Sequence, residues 1–292
     1  MTTTRKLIFM GSPEFAIPTL KELYLLFPKN LIGVFTKPDA PKGRGQIMTM
    51  TPVKEWAQAH NIPVWSPKTK EEMDKEIIAL NPDVILVAAY GMIIPKIITD
   101  NYFCINTHPS LLPKYRGASP IQAALLTNDT TTGITLMKIN DTLDAGDILY
   151  QERISILEGD NFESLHNRLA ENTARICAHY LGNSFFKGII QTVQQNHDMA
   201  TYCPMIQSED YLLDLNADPK TNIGKIRAFS PKPGAYVIQN NRQIKILEAR
   251  IIDGKLDIIK VKPEGKTEMF YSDYLLAHPP IVQQGVTDGS PC

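Results

Sequence analysis

Asn106 and His108 stand two residues apart in Ile105-Asn106-Thr107-His108-Pro109-Ser110, at the end of a short apolar run. Side chains alternate along an extended strand, so this amide and imidazole face one pocket while Thr107 faces the other way. An imidazole titrates near neutrality and moves protons, and a carboxamide donates to an oxygen that gains negative charge. Alone, an Asn-x-His pair is equally what a loop uses to satisfy its own backbone. Further along, Asn140-Asp141-Thr142-Leu143-Asp144-Ala145-Gly146-Asp147 packs three carboxylates and a glycine into one turn. Asp141 reads as a turn-former. Asp144 and Asp147 are expected near the same sheet edge as His108. Residue types alone lead as far as an amide, an imidazole and a carboxylate at an acyl-transfer site.

A frame must bring them together. Leu7-Ile8-Phe9-Met10, the turn Gly11-Ser12-Pro13-Glu14 and the spacing of Phe15, Ile17, Leu20 and Leu23 predict strand, turn and helix. Strands follow at 31–35 and at 83–89, the second an unbroken apolar run of the kind buried on both faces of a parallel sheet. A short strand at 103–106 and two more at 133–139 and 148–156 complete an α/β, doubly wound, mostly parallel sheet. Ligands of such sheets bind beyond the carboxyl ends of the strands, where Asn106 and His108 fall. The first turn lacks G-x-G-x-x-G, which argues against a dinucleotide. Asp160-Asn161-Phe162-Glu163-Ser164 is expected to cap a long helix with Leu165, Leu169, Ile176 and Leu181 on its buried face. The Gln-rich stretch 191–208 reads as a linker between a catalytic domain at 1–190 and a small β domain at 209–292, with hairpin turns at Asn240-Asn241 and Asp253-Gly254.

The whole-chain properties exclude more than they assign. Of 292 residues 43% are hydrophobic and 21% charged, enough for a core without disulfides or structural metal. Cys104, Cys177, Cys203 and Cys292 show no C-x-x-C pairing, and no metal site is expected. The apolar run at Leu7 is too short for a signal sequence or a span, so the chain is expected in the cytoplasm and off the membrane. The formal net charge of −1 hides an uneven distribution: from Pro219 to Lys266 there are eleven Lys or Arg against four acidic residues.

The string Asn106-Thr107-His108-Pro109-Ser110-Leu111-Leu112-Pro113-Lys114-Tyr115-Arg116-Gly117, followed by Gly133-Ile134-Thr135 and Asp144-Ala145-Gly146-Asp147, resembles the active site of the folate-dependent formyltransferases. Phe9 to Phe15, the loop Lys37 to Gln46, and Ile226 to Ala235 resemble the branch of that family acting on methionyl-tRNA. Met137 fits it too, since purine-pathway relatives usually carry histidine there. The resemblance implies 10-formyltetrahydrofolate as donor, initiator methionyl-tRNA as acceptor, and a monomer. It implies Asn106 as oxyanion donor, His108 as donor or proton shuttle, and Asp144 either fixing the imidazole or receiving the amine proton. Ser110, Leu111, Leu112 and Pro113 would contact the folate, and Lys42 and Arg44 the tRNA. Family C-terminal domains are usually five-stranded barrels of the oligonucleotide-binding type. Here Glu248 to Asp257 closes in one turn, which implies an incomplete, OB-like barrel.

Other readings share parts of this pattern. An amino-sugar N-formyltransferase would use the same donor but should lack the Lys37 to Gln46 loop and the basic distal segment. A formyltetrahydrofolate hydrolase normally places a regulatory domain first. A non-catalytic folate- or RNA-binding protein has no need of Asn106, His108 and Asp144 together.

Overall fold

Parallel strands buried on both faces need apolar side chains at every position, and the strands Leu7–Gly11 and Val84–Ala88 are buried throughout. In the computed structural model, which describes residues 4–43 and 45–282, they lie side by side in a seven-stranded sheet. Leu31–Phe35 and then Val64–Trp65 extend the sheet on one side, both parallel. Phe103–His108 joins Val84–Ala88 in parallel on the other. Thr131–Lys138 then runs antiparallel to Phe103–His108, with Ile148–Ser155 outermost. The chain falls into two compact units, the first holding this sheet and the second made of residues 118–131, 155–165 and the described residues from Cys203 on.

One face of the sheet carries Ile8, Met10, Phe35, Ile85, Val87 and Cys104, packed with Met73 and Ile77 from the helix Lys70–Leu80. Phe35 stacks on Trp65 with ring centroids 5.3 Å apart. Ser12, in the first turn, donates its hydroxyl to the Tyr90 carbonyl at 2.9 Å and accepts from the Lys37 N–H at 3.1 Å. The first crossover and the loop after Val84–Ala88 are thereby fastened at the carboxyl edge. Leu165, Leu169, Ile176 and Leu181 of the helix Phe162–Asn183 are all fully buried. That helix starts in a reciprocal cap: Asn161 Oδ1 accepts from the Ser164 N–H at 3.0 Å, and Ser164 Oγ accepts from the Asn161 N–H at 3.1 Å.

The segment expected as a linker is structured. Val193 bridges Ile148 in both directions at 2.8 Å, and Tyr202–Cys203 pairs with Arg116–Gly117. Cys104, Cys177 and Cys203 are buried free thiols, with burial pushing the Cys104 thiol up to about 12. Cys292 lies outside the described residues.

In the second unit the strands Ala235–Gln239, Arg242–Ile252, Lys255–Pro263 and Met269–Phe270 form an antiparallel sheet in that order. Asn240 and Asn241 (φ 52° and 58°) and Asp253 and Gly254 (φ 49° and 73°) make the two hairpin turns, left-handed at both positions as tight hairpins require. The sheet thus has four strands among the described residues, where the resemblance implies five in complete relatives. The helix Pro219–Phe229, capped by Asp218 on the Lys220 N–H at 2.9 Å, packs against the helix Pro120–Leu126. Gly224 makes this approach, since a Cβ there would meet the Leu126 carbonyl at 2.6 Å.

Candidate active site

Cys104 belongs to the core face, so alternation along Phe103–His108 places Asn106 and His108 on that same face, at the carboxyl edge of the parallel strands. Met137 lies opposite Asn106, and Thr135 opposite His108. Asn106 is half-buried, whereas His108 is only 4% exposed. His108 Nε2 sits 2.8 Å from the Tyr115 carbonyl oxygen. A carbonyl only accepts, so Nε2 carries the hydrogen and Nδ1 keeps its lone pair. Nδ1 faces Asp144 Oδ2 at 3.6 Å, a side chain itself almost fully buried.

The electrostatics follow from that arrangement. Burial lowers the His108 pKa, while the Asp144 carboxylate and the Tyr115 carbonyl push it back up. The resting imidazole is therefore neutral at neutral pH, with a proton-accepting nitrogen that looks at a carboxylate. A proton taken up by Nδ1 meets negative charge at once. The Tyr115 carbonyl thus fixes the tautomer through Nε2, while Asp144 faces Nδ1.

Asp144 is held by its backbone. Its φ of 48° is left-handed, a conformation non-glycine residues adopt at a cost of about 1–2 kcal/mol. Its Oδ2 accepts from the Gly117 N–H at 2.8 Å. Tyr115, whose carbonyl holds His108, is also left-handed at φ 61°, and its N–H donates to Thr201 Oγ1 at 2.8 Å. Two such residues on either side of one imidazole are the kind of local strain that the surrounding structure must over-determine. Gly146 is forced: a Cβ there would collide with the Lys138 carbonyl.

The other carboxylates of the turn go elsewhere. Asp141 pairs with Lys96 at 2.5 Å. Asp147 accepts through its carbonyl from the Lys138 N–H at 2.9 Å and lines a cavity of ≈ 390 Å³ together with Lys96, Ile139, Asn140 and Asp141. Asp144 is the carboxylate of the turn that faces His108.

Ser110 to Pro113 is built into the sheet edge. The Ser110 hydroxyl donates to the Lys114 carbonyl at 2.6 Å, and Thr135 Oγ1 donates to the Ser110 carbonyl at 2.6 Å while accepting from the Leu112 N–H at 3.1 Å. Gln151 Nε2 donates to the Leu112 carbonyl at 2.9 Å, which leaves Leu112 buried and Leu111 lying across Gly133. Lys42 sits on the exposed hairpin Ala40–Lys42/Ile47–Thr49, opposite Ile47. Arg44 lies outside the described residues. The same hairpin exposes Ile47 and Met48, at 71% and 62%, which the sequence reading passed over.

Reading the sequence also missed Tyr115 and Gln195. Tyr115 stands inside the motif, but no pattern announces that an aromatic residue adopts positive φ there. Gln195 lay in a stretch without periodicity; its side chain reaches the Asp144 turn and the buried Arg116. Among the described residues, no group of three or more His, Cys, Asp and Glu could hold a metal ion.

Residues 6–181 match the formyl transferase family, and 205–257 match the formyl transferase C-terminal domain. The chain belongs to the formyltransferase family. A methionyl-tRNA formyltransferase of Sulfurihydrogenibium sp. is 40% identical over 259 residues, covering 87% of this chain and 83% of that one. A solved methionyl-tRNA formyltransferase of Clostridium thermocellum shares the fold at TM-score 0.61 and 17% identity, over 89% of this chain and 98% of that one. HypX of Aquifex aeolicus, solved with tetrahydrofolic acid, matches at TM-score 0.62 and 14% identity over 94% of this chain and 47% of that one. In this formyltransferase no helix of the described residues is long and apolar enough to cross a membrane.

Proposed function

We propose that this formyltransferase moves the formyl group of 10-formyltetrahydrofolate to the α-amine of methionyl-tRNA, the initiator species being its acceptor. The likeness in sequence to proteins of that name, running through both parts of the chain, carries the reading. Likeness in fold alone does not choose among amines.

The residues suit the donor. Leu111 lies across Gly133, and a cavity lined by Asn140, Asp141, Gly146 and Asp147 lies on the same turn as Asp144, a mix of apolar surface and few placed polar groups that such ligands use. When bound, the folate supplies the formyl group on its N10 nitrogen. Asn106 donates its amide to the carbonyl oxygen as charge develops, a contribution typically of about 10²–10³ in rate. A free α-amine has a pKa of about 7.7–8.0, so a fraction of it is neutral and nucleophilic near neutral pH, and once it has attacked the formyl carbon its proton becomes acidic enough for a neutral imidazole to take. His108 receives that proton on Nδ1, Asp144 at 3.6 Å stabilises the imidazolium, and the proton is returned to N10 as the C–N10 bond breaks and tetrahydrofolate leaves. Leu111 and Leu112 keep bulk water from the sheet edge. Lys42, Arg44 and the basic segment from Pro219 on contact the tRNA. In that segment Lys225 and Arg227 are engaged by backbone carbonyls and Arg250 by Asp257, so the cations left for phosphate are fewer than the sequence count suggests.

Incubation with the folate donor and, separately, methionyl-tRNA, free methionine and an amino sugar tests the reading. Formyl-methionyl-tRNA should form, with little or no product from the other two. Formylation of the sugar in preference to methionyl-tRNA would replace the acceptor.

A further inference from the structure

We propose that Gln195 is a positioning residue, which holds the turn carrying Asp144 in register with His108. This deepens the formyltransferase reading of the site and rests on it. Gln195 is 3% exposed, and its whole hydrogen-bonding capacity goes to two places. Its Oε1 accepts from Arg116 Nη2 at 2.6 Å and Nε at 3.1 Å. A guanidinium only donates, so the oxygen and nitrogen of the carboxamide are assigned without ambiguity. Its Nε2 then spends both hydrogens on the turn, donating to the Asp144 carbonyl at 2.9 Å and the Gly146 carbonyl at 2.7 Å.

Those two carbonyls bracket Ala145 in a turn that has reason to move. Asp144 is left-handed, and among the described residues its carboxylate accepts from one backbone donor, the Gly117 N–H. Arg116 and Gly117 are neighbours: one supplies the guanidinium that fixes Gln195, the other the N–H that fixes the Asp144 side chain. Gln195 is itself anchored, since Val193 bridges Ile148 just beyond the turn. His197 Nδ1, 3.1 Å from Arg116 Nη2, accepts from the same guanidinium. A carboxamide is the group this place demands. A carboxylate would satisfy Arg116 but repel the two carbonyls, and an apolar side chain would leave guanidinium and carbonyls without it.

Gln195→Glu keeps the Arg116 contact and removes both donors to the turn, and Gln195→Met removes both ends at similar size. Each is made alone and with Asp144→Asn, and single-turnover formyl transfer, folate affinity and the thermal midpoint are measured. For Gln195→Glu we expect a folded protein, folate affinity within about threefold, and transfer slowed about ten- to hundredfold, the scale of a small misplacement of a reacting group. In the Asp144→Asn background the same change should cost less than about threefold, because the residue it positions is already disabled. A structural role alone would give losses that multiply. Wild-type transfer in folded Gln195→Glu, or multiplying losses in the double variant, overturns the proposal. If Gln195→Met fails to fold, Gln195→Glu carries the test. The cycle is run on whichever amine the wild-type protein formylates, so rejection of methionyl-tRNA would remove the acceptor without touching this inference.

Discussion

The surroundings of His108 and the hairpin Ala40–Lys42/Ile47–Thr49 stand far apart in burial. In the first, His108 is tied at Nε2, and Asp144 is held through its side chain and carbonyl. On the hairpin, Ile47 and Met48 stand in solvent, and a Cβ at Gly43 would meet nothing. Groups that handle a proton must be in place before the substrate arrives, because reorganising them during the reaction raises the barrier. Groups that grip a large polyanion can be ordered by it. Changes around His108 should therefore act on the rate of transfer and changes on the hairpin on the use of tRNA.

The largest expected effect tests the first half of that contrast. Asn106→Ala, His108→Ala and Asp144→Ala should each cut turnover by at least about a hundredfold in a folded protein. A folded variant with near-normal turnover would remove that residue from the site.

The pH profile comes next. In the proposed mechanism turnover needs neutral His108, and burial has moved its pKa below the usual 6.5. The acid limb of kcat should accordingly lie below pH 6.5 and fall up to about tenfold per pH unit once the lowered value is crossed. Between the two pKa values the unfolded chain binds the proton and the folded one does not, so this histidine's contribution makes stability drop as pH falls from 6.5 towards the folded value. His108→Gln should remove that acid sensitivity in a denaturant titration, and an unchanged slope would show that His108 is not held neutral.

A subtler break is Gly146→Ala. The new Cβ collides with the Lys138 carbonyl, so the turn must shift at a cost of about 1–3 kcal/mol, with transfer slowed because Asp144 moves too. A thermal midpoint and rate both at wild-type levels would show the turn to be slack.

On the hairpin, Ile47→Ser and Met48→Ser should raise KM for methionyl-tRNA while changing stability by no more than about 0.5 kcal/mol and leaving folate affinity alone. Smallest is Lys42→Ala, which should flatten the log-log salt dependence of tRNA binding by about one unit if Lys42 meets a phosphate. An effect of these changes on kcat alone would erase the distinction between the two regions.

What could be read in advance follows the range of the forces involved. The parallel sheet was legible because unbroken apolar runs such as Val84–Ala88 have few other uses. The two hairpin turns were legible because Asn-Asn and Asp-Gly tolerate positive φ. Asn106 and His108 were legible as sharing one strand face from alternation, whereas Asp144 was singled out for a role by resemblance. Tyr115 and Gln195 escaped for a common reason: their work is done on backbone carbonyls, and any residue supplies a carbonyl. A polar stretch such as 191–208 looks the same in sequence whether its amides meet water or a buried turn.

That stretch also imposes an order on the life of the chain. His108 and Asp144 are synthesised well before Gln195 and Thr201, which fasten the structure around them. Translation at about 5–20 residues per second separates His108 from Gln195 by some seconds, during which the nascent chain holds its reactive groups without their restraints. A proteolytic fragment ending near residue 190 would be in the same condition indefinitely, with every residue of the motif present and the Asp144 turn unfastened. Such a fragment lacks the Gln195 and Thr201 hydrogen bonds to the Asp144 turn and Tyr115, which the chain supplies only beyond residue 190.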